Sequence, residues 1–400
     1  MKTCISVLGR FIAFDLAREL HKHGALARLI TSYPKFISKR FGVPTQLTKS
    51  VISSEFMRRG WPHLPNAVTR KFNPQNYVSE HFEQRAARLI PEDADIFVGW
   101  SGCSLAGIER AKSMGITTVV ERTSSHILTQ CQLLTDEYAQ FGTTPRVAHP
   151  GVVERELAEY EAADYISVPS NFVKQSFLDR GFDAAKFIQA PFGVALDNFF
   201  PPEPGTREND PTFRIIHVGG VTFRKGCHYL LQAFQQLNLP NSELVFVGAV
   251  APEMEPFKER YSSASIKFHG SVPQSELVDH YGKADVFTLA SIEEGLAVVT
   301  FQAMACGLPV VATTNTGAGD LVNEGEEGFI VPIRNADAIA EKWQWLYDHR
   351  ETAREMGMKA RERVQTNFTW ADYGNRMMRS YERIHSQTNQ SAGLPPKQVA

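Results

Sequence analysis

A carboxylate and an amide lie eight positions apart in residues 293–311, which read EEGLAVVTFQAMACGLPVV. Glu294 precedes a glycine and an apolar run that predicts a helix, and Gln302 lies about two turns inside that run on nearly the same face. A glycine-bearing turn into a helix presents free backbone N–H groups and the positive end of the helix dipole, which together hold a diphosphate. A carboxylate there repels the phosphate unless it binds something else, such as sugar hydroxyls. The alternative is that Glu294 is only a first-turn acid favoured by the dipole.

Two cations precede a second predicted helix, in the stretch HVGGVTFRKGCHYLLQAF at 217–234. Gly219 and Gly220 end a predicted strand and Arg224 and Lys225 follow just before the helix, and all four are candidate donor-binding residues. Cations at this position would neutralise a departing diphosphate. In the alternative interpretation, the glycine pair is a packing turn and Lys225 is a solvated first-turn residue.

The elements that must position these residues follow a regular rhythm. Short apolar runs alternate with amphipathic helical patterns, which indicates parallel sheets covered on both faces. The predicted strands lie at 4–9, 95–100, 116–121, 165–170, 213–220, 243–250, 265–270, 284–290, 308–313 and 328–333. Since ligands bind at the carboxyl ends of parallel strands, the sequence predicts a site between two α/β units.

At 400 residues the chain is long enough for two cores. We expect a Rossmann-like first domain at 1–192 and a second one at 213–368, joined by a linker at 193–212 that is rich in proline, glycine and charge. A last helix at 369–386 begins with a threonine cap and is expected to return to the first domain. Residues 387–400 are expected to form a disordered tail.

The composition, with 43% hydrophobic and 22% charged residues and a net charge of -2, is typical of a globular protein and argues against a dedicated nucleic-acid binder. No apolar run reaches the ~18 residues of a membrane helix, and the first residues show no signal-peptide cleavage pattern. Five scattered cysteines without a C-x-x-C pair favour a reducing compartment over disulfides or a zinc site. We therefore expect a cytoplasmic protein.

The first hundred residues carry 15 Lys/Arg against 8 Asp/Glu, a net charge of +7. Aromatic residues interleave with cations in the stretch 33–61. These cations are Lys35, Lys39, Arg40, Lys49, Arg58 and Arg59. The pattern predicts docking on an anionic membrane surface, unless it is an ordinary solvated face.

Several segments in register are similar to those of retaining glycosyltransferases of family 4, which have the GT-B fold of two Rossmann-like domains facing a cleft. SIEEGLAVVTFQAMACGLPVVAT resembles that family's E-G-F-G-L-x-x-x-E-A-M-A-x-G-x-P-V-V segment. AADYISVPSNFVKQSFLDRGFDAAKFIQAPFGVALDNFFP, FHGSVPQSELVDHYGKADVFTLAS and NEGEEGFIVPIRNADAIAEKW resemble three further family segments in the same order. The resemblance is strong over 154–370 and covers the first 150 residues only in outline.

The resemblance implies that Glu294 contacts hydroxyls of the transferred sugar and that Gln302 takes the place of a second glutamate that binds the nucleotide ribose. The diphosphate would be held by the backbone amides of Gly295, Leu296, Ala297 and Val298. Leu296 and Ala297 replace the family's usual Phe-Gly.

The family often has an arginine where Gly220 stands, and Arg224 would compensate for it. The backbone of Ser271 and Val272 would hold the base. In the first domain, the resemblance implies that His126 faces the donor sugar and acceptor, although a lone histidine is more often structural.

Glu121 and Arg122 are weaker candidates in the same loop, and Gly9 would let the donor approach the first domain. Asp93 and Asp95 imitate a metal-binding D-x-D motif at a predicted turn, whereas the GT-B fold generally works without a metal. We expect no cofactor beyond the nucleotide-sugar co-substrate.

The sequence therefore predicts retaining transfer of a sugar from a nucleotide-diphosphate donor, with UDP favoured, to a hydroxyl of a saccharide or lipid-linked saccharide in surface-polysaccharide or glycan biosynthesis. No nucleic acid partner is expected. One alternative is a nucleotide-sugar epimerase of the same fold, and another is a non-catalytic protein that binds sugar nucleotides.

Overall fold

The protein is described by a computed structural model that covers residues 1–61, 74–145, 147–203, 205 and 210–391. Its strands are β1 Thr3–Val7, β2 Leu26–Thr31, β3 Thr48–Ser50, β4 Ile96–Trp100, β5 Thr117–Glu121, β6 Tyr165–Val168, β7 Phe187–Gln189, β8 Phe213–Val218, β9 Ser242–Val247, β10 Ile266–Phe268, β11 Val286–Leu289, β12 Val310–Thr313 and β13 Gly328–Val331. Its α-helices are α1 Ala13–Lys22, α2 Lys35–Arg40, α3 Ile52–Gly60, α4 Gln75–Ala87, α5 Leu105–Ser113, α6 Ile127–Gln140, α7 Pro150–Ala162, α8 Asn171–Leu178, α9 Cys227–Leu237, α10 Glu255–Arg260, α11 Leu277–Gly282, α12 Val298–Ala305, α13 Ala336–Asp348, α14 Arg350–Asn367 and α15 Trp370–Ser391.

Two parallel sheets organise the chain, as the alternating pattern predicted. The first has the order β3-β2-β1-β4-β5-β6-β7 and the second has the order β10-β9-β8-β11-β12-β13. In each sheet the strand order reverses beside the first strand of its domain, which leaves a crevice at the carboxyl ends. The two crevices face one another across the site described below.

All ten predicted strands are present, and three further strands were missed. β2 carries Arg28, whose guanidinium donates to the carbonyl of Leu89. β3 and β7 have three residues each, too few for a periodicity to be visible. The missed strands complete the two sides of the first sheet without changing its type.

Helix α12 carries the motif segment into the core of the second domain. Its residues are apolar on nearly every side, and Thr300 through Ala305 are buried. Gly307 follows in the left-handed conformation, with φ 72°, and Pro309 prevents the helix from continuing. The helix is therefore rigidly held, and its N-terminus points its amides toward the cleft.

Helix α15 packs on α1 of the first domain. A side chain at Gly374 would lie 2.5 Å from Cβ of Glu19, so the two helices touch backbone to side chain. Tyr373 and Tyr381 are fully buried in the core of the first domain.

The last helix ends later than predicted. It runs to Ser391, and Thr388 accepts a hydrogen bond from the Thr117 hydroxyl at 3.2 Å. The predicted disordered tail is thus wrong for 387–391, because these residues extend the helix over the first sheet; its remainder lies outside the described residues.

Within the described ranges, none of the helices combines the length and the apolarity that a bilayer crossing requires.

Candidate functional site

Two adjoining cavities lie where the domains meet. The cleft cavity, about 1010 Å³, is lined in the second domain by Arg224, Gln274, Leu277, Glu294, Leu296, Ala297, Val298, Val299 and Gln302. The first-domain cavity, about 740 Å³, is lined by residues that include Gly9, Trp100, Gly102, Arg122, Val152 and Glu156. The residues common to both cavities are Arg10, Phe11, Thr123 and Arg224. The two spaces therefore meet at Arg224, in an arrangement suited to two substrates that react at their junction.

Glu294 and Lys225 form an ion pair at the cleft cavity. Their side chains are 17% and 19% exposed, and the Lys225 ammonium donates to Oε2 of Glu294. Burial by itself raises the pKa of Glu294, but Lys225 and Arg224 outweigh burial and hold that pKa below its ordinary value. The structure therefore brings together the three charged residues that the sequence singled out, with Glu294 ionised and able to accept hydrogen bonds.

Arg224 is fixed by a neighbour that the sequence analysis missed. Its Nη2 lies 2.9 Å from Oε2 of Glu293, and its Nε donates to the Glu293 carbonyl at 3.1 Å. The Arg224 side chain keeps 35% of its surface exposed, so it still faces the cavities. The only sequence signal for Glu293 was its place in the EEG triplet, where a single acid had been assigned a role.

The turn at Gly295 touches the first domain directly. A Cβ atom on Gly295 would lie 1.8 Å from the carbonyl oxygen of Thr123, which only a glycine avoids. The Ser170 hydroxyl donates to the Gly295 carbonyl at 2.6 Å. Ala297 precedes α12 without any side-chain cap, so the first amides of this helix are left for another acceptor.

Gln302 is 5% exposed and lies in the wall of the cleft cavity. Its Oε1 accepts a hydrogen bond from the Tyr281 hydroxyl at 3.3 Å. Gln302 reaches the cavity, where it could bind the ribose, and it also packs inside the domain, where it could serve packing alone.

His126 is a buried residue at the start of α6. It is 2% exposed and caps α6, where its Nδ1 accepts from the amide of Leu128 at 3.2 Å. Its ring packs against Tyr160 and Phe177. Burial, with smaller effects from nearby arginines, lowers its pKa to about 4.

The His126 side chain turns inward to cap its own helix and lines neither cavity, so its predicted contact with donor and acceptor stays a prediction. Thr123 and Ser124, which precede it in the same loop, line the cleft cavity instead.

Of the weaker first-domain candidates, Arg122 and Gly9 line a cavity and Glu121 does not. Glu121 is buried at the end of β5, away from both cavity linings, and burial raises its pKa to about 7. Arg122 lines the first-domain cavity and pairs with Glu156 at 2.6 Å. Gly9 lines the same cavity with φ 107°, a conformation that favours glycine.

Four predicted donor-binding residues follow strands of the second domain. Ser271 is exposed and Val272 half-buried after β10, and Gly219 and Gly220 form the turn after β8. Among the described residues that line the two cavities, none of these four is present. Their proposed contacts with base and phosphate therefore stay predictions.

The D-x-D imitation is a structural turn. The Lys2 ammonium donates to Asp93 and the Lys2 backbone amide donates to Asp95, each at 2.7 Å. These carboxylates tie the N-terminus to the turn before β4.

Comparison with known proteins agrees with the motif resemblance. Residues 203–363 match the family described as glycosyl transferases group 1. The chain is 28% identical over 236 residues to a GDP-mannose-dependent alpha-(1-6)-phosphatidylinositol monomannoside mannosyltransferase of Mycolicibacterium smegmatis, which covers 54% of this chain and 61% of the relative. It is 29% identical over 223 residues to the capsular polysaccharide biosynthesis glycosyltransferase CapM of Staphylococcus aureus, which covers 53% and 57%. The aligned region thus spans little more than half the length of these relatives.

Solved structures share the architecture over nearly the whole chain. Anabaena HepE in complex with UDP-glucose superposes with a TM-score of 0.70 at 14% identity and covers 96% of this chain and 100% of its own. A sucrose-phosphate synthase from Thermosynechococcus elongatus gives 0.69 at 19% identity, with 97% and 100% covered. The predicted GT-B fold is confirmed, and so is the resemblance to the glycosyltransferase family.

Proposed function

We propose that this chain, whose residues 203–363 match the family described as glycosyl transferases group 1, moves a sugar from a nucleotide-diphosphate donor to an acceptor hydroxyl. The observation that carries the proposal is the junction of the two cavities, where Arg224 meets the Glu294–Lys225 pair and the amide end of α12. The donor would lie in the cleft cavity with its diphosphate at this junction. The acceptor would enter through the first-domain cavity.

We propose a retaining reaction on the same face of the sugar. The bond from the anomeric carbon to the diphosphate breaks, the acceptor oxygen forms the new bond to that carbon, and the acceptor proton passes to the departing phosphate oxygen. Arg224, Lys225 and the α12 amides would stabilise the charge that develops on the phosphate. Glu294 would accept hydrogen bonds from sugar hydroxyls as the ring gains positive charge.

The test is incubation with UDP-, GDP- and ADP-sugars, with and without saccharide acceptors, with release of nucleoside diphosphate and the product anomer measured. UDP is the favoured nucleotide of the donor. The expected result is acceptor-dependent release of nucleoside diphosphate and a product with the retained anomeric configuration. An epimerase would instead turn the donor into its isomer without acceptor. A non-catalytic protein would bind donor tightly and release nothing.

We further propose that the acceptor is carried on a lipid and that the first domain docks on an anionic membrane at its cytoplasmic face. Helices α2 and α3 carry Phe36 and Phe56, which are 59% and 75% exposed. A groove of about 240 Å³ lies between these two side chains. Exposed Lys35, Lys39 and Arg40 lie on α2, whereas Arg58 and Arg59 of α3 are partly neutralised by Glu55.

Replacing both Phe36 and Phe56 by Ser is expected to lower binding to anionic vesicles by about 10²-fold or more, since each buried aromatic side chain contributes about 1.5–3 kcal/mol. Cosedimentation at low salt measures the effect. Met358→Ser is the matched control, because Met358 is 55% exposed on the second domain. Wild-type protein that stays in the supernatant, or equal binding by the control and the double variant, would contradict the docking surface.

Gln302→Ala is expected to raise donor KM roughly tenfold, equivalent to about 1.4 kcal/mol, with kcat little changed, because the ribose does not react. Gln302→Glu should be tolerated. Tyr281→Phe is the control, since it removes the hydrogen bond to Gln302 without touching the cavity side of the amide. If Gln302→Ala lowers Tm and leaves donor KM unchanged, the residue serves only packing.

A further inference from the structure

We infer that Glu293 is a positioning residue that makes the orientation of Arg224 depend on closure of the two domains. The inference rests on the proposed function, in which Arg224 stabilises the departing diphosphate. Glu293 itself is fully buried and lines neither cavity, so it acts through Arg224 and never touches substrate.

The Glu293 carboxylate is shared between the domains. Its Oε1 accepts from the backbone amide and the hydroxyl of Ser125, at 2.9 and 2.8 Å. Its Oε2 accepts from Nε2 of Gln130 at 2.9 Å and lies 2.9 Å from Nη2 of Arg224. Three of these four donors belong to the first domain, and the fourth is the cation at the junction of the cavities.

The first-domain donors are themselves held in place. Arg122 donates to the Ser125 carbonyl through Nε and Nη2, at 2.9 and 2.8 Å. Its Nη2 also lies 3.1 Å from Oε1 of Gln130. Arg122 in turn pairs with buried Glu156. A continuous polar network therefore runs from the first-domain core through Gln130 and Glu293 to Arg224.

Separation of the domains would remove three donors from a buried carboxylate at once. Water would replace these donors in the open state, so the network favours the closed arrangement by the net gain of three ordered hydrogen bonds to a charged group. Glu293 would then be left with Arg224 alone in a solvated pair, which holds a side chain only weakly. The bond from Nε of Arg224 to the Glu293 carbonyl lies within the second domain and would remain, so it is the Nη2 end of Arg224 that is fixed only when both domains enclose the substrates.

Glu293→Gln tests the inference. The amide keeps the shape of the carboxylate, but its NH₂ group replaces the oxygen that faces the N–H groups of Gln130 and Arg224, so donor meets donor. We expect kcat to fall roughly tenfold, on the scale of a misplaced reacting group, with donor KM changed less than about threefold. Small-angle scattering of the ligand-free variant should show a larger radius of gyration than the wild type. Ser125→Ala, which removes one hydroxyl donor and keeps the carboxylate, should show smaller changes in the same directions.

Two further variants separate positioning from general loss of interface. The double variant E293Q/Q130E restores a donor–acceptor match between the domains but leaves Arg224 without its carboxylate, so compactness should return while kcat stays low. Arg334→Met breaks another interdomain pair, the contact of Arg334 with Glu137 at 2.6 Å, far along α6 from the junction. It should lower Tm without the kcat effect of Glu293→Gln.

Wild-type compactness and kcat in Glu293→Gln would overturn the inference, as would full recovery of kcat in the double variant or an equal kcat loss in Arg334→Met. If the wild type transfers no sugar from any donor, the proposed function fails instead. In that case the scattering comparison still decides whether Glu293 holds the domains together.

Discussion

Replacing Glu294 by Gln is expected to lower kcat by about 10²-fold, the scale of losing one preorganised contact in the transition state. The physical reason is charge. As the sugar bond breaks, the ring gains positive charge, and a carboxylate accepts hydrogen bonds from its hydroxyls more strongly than an amide does. Donor KM should change little, because the ground-state sugar carries no such charge.

The surroundings of Glu294 sharpen this expectation. Lys225 and Arg224 keep its pKa below the ordinary value, so the wild-type residue is ionised at neutral pH. Glu294→Gln also leaves Lys225 without its partner at the cavity wall. Steady-state kinetics with saturating acceptor measure the effect, and Glu276→Gln, at an exposed glutamate before α11, is the control. A wild-type kcat in the Glu294→Gln enzyme would contradict the assignment of this turn to the donor site.

The second domain was more predictable than the first. Its six strands were all found from sequence, and five of them are mostly buried apolar runs, as parallel strands covered on both faces are. The sixth, β10, is a three-residue edge strand that contains the exposed Lys267. In the first sheet, β2 was missed because the polar Arg28 interrupts its apolar run, and β3 was missed because it has only three residues.

The charged site residues were found where they lie on glycine turns beside helix ends, as with Glu294 and Lys225. His126 lies in a strand-to-helix loop whose first residues, Thr123 and Ser124, line the cleft cavity and whose last residue caps the helix. Position in the sequence alone does not tell which residue of this loop lines the cavity, as Ser124 does, and which caps the helix, as His126 does. The sequence did not identify Glu293 as a site residue, because its partners Ser125 and Gln130 lie more than 160 positions away in the chain.

Gly295→Ala is expected to lower kcat/KM by about 10³-fold or more, because it acts on domain closure and on the phosphate turn together. The added Cβ would lie 1.8 Å from the Thr123 carbonyl oxygen and 3.0 Å from Cα of Ser124. These are backbone atoms, which cannot turn aside as a flexible side chain can. Either the first domain moves away or the turn before α12 shifts, and both misplace the junction at which the substrates would react.

Gly319→Ala is the matched control, since a Cβ atom at Gly319 meets nothing within 4 Å. It introduces the same methyl group in the same domain and should leave kcat/KM within about twofold of the wild type, because surface changes of this kind are nearly neutral. Small-angle scattering of Gly295→Ala should show a more open molecule, while circular dichroism shows both sheets intact. A closed and fully active Gly295→Ala protein would mean that the contact between this turn and Thr123 is absent during catalysis, and the closed geometry would then not be the reacting one.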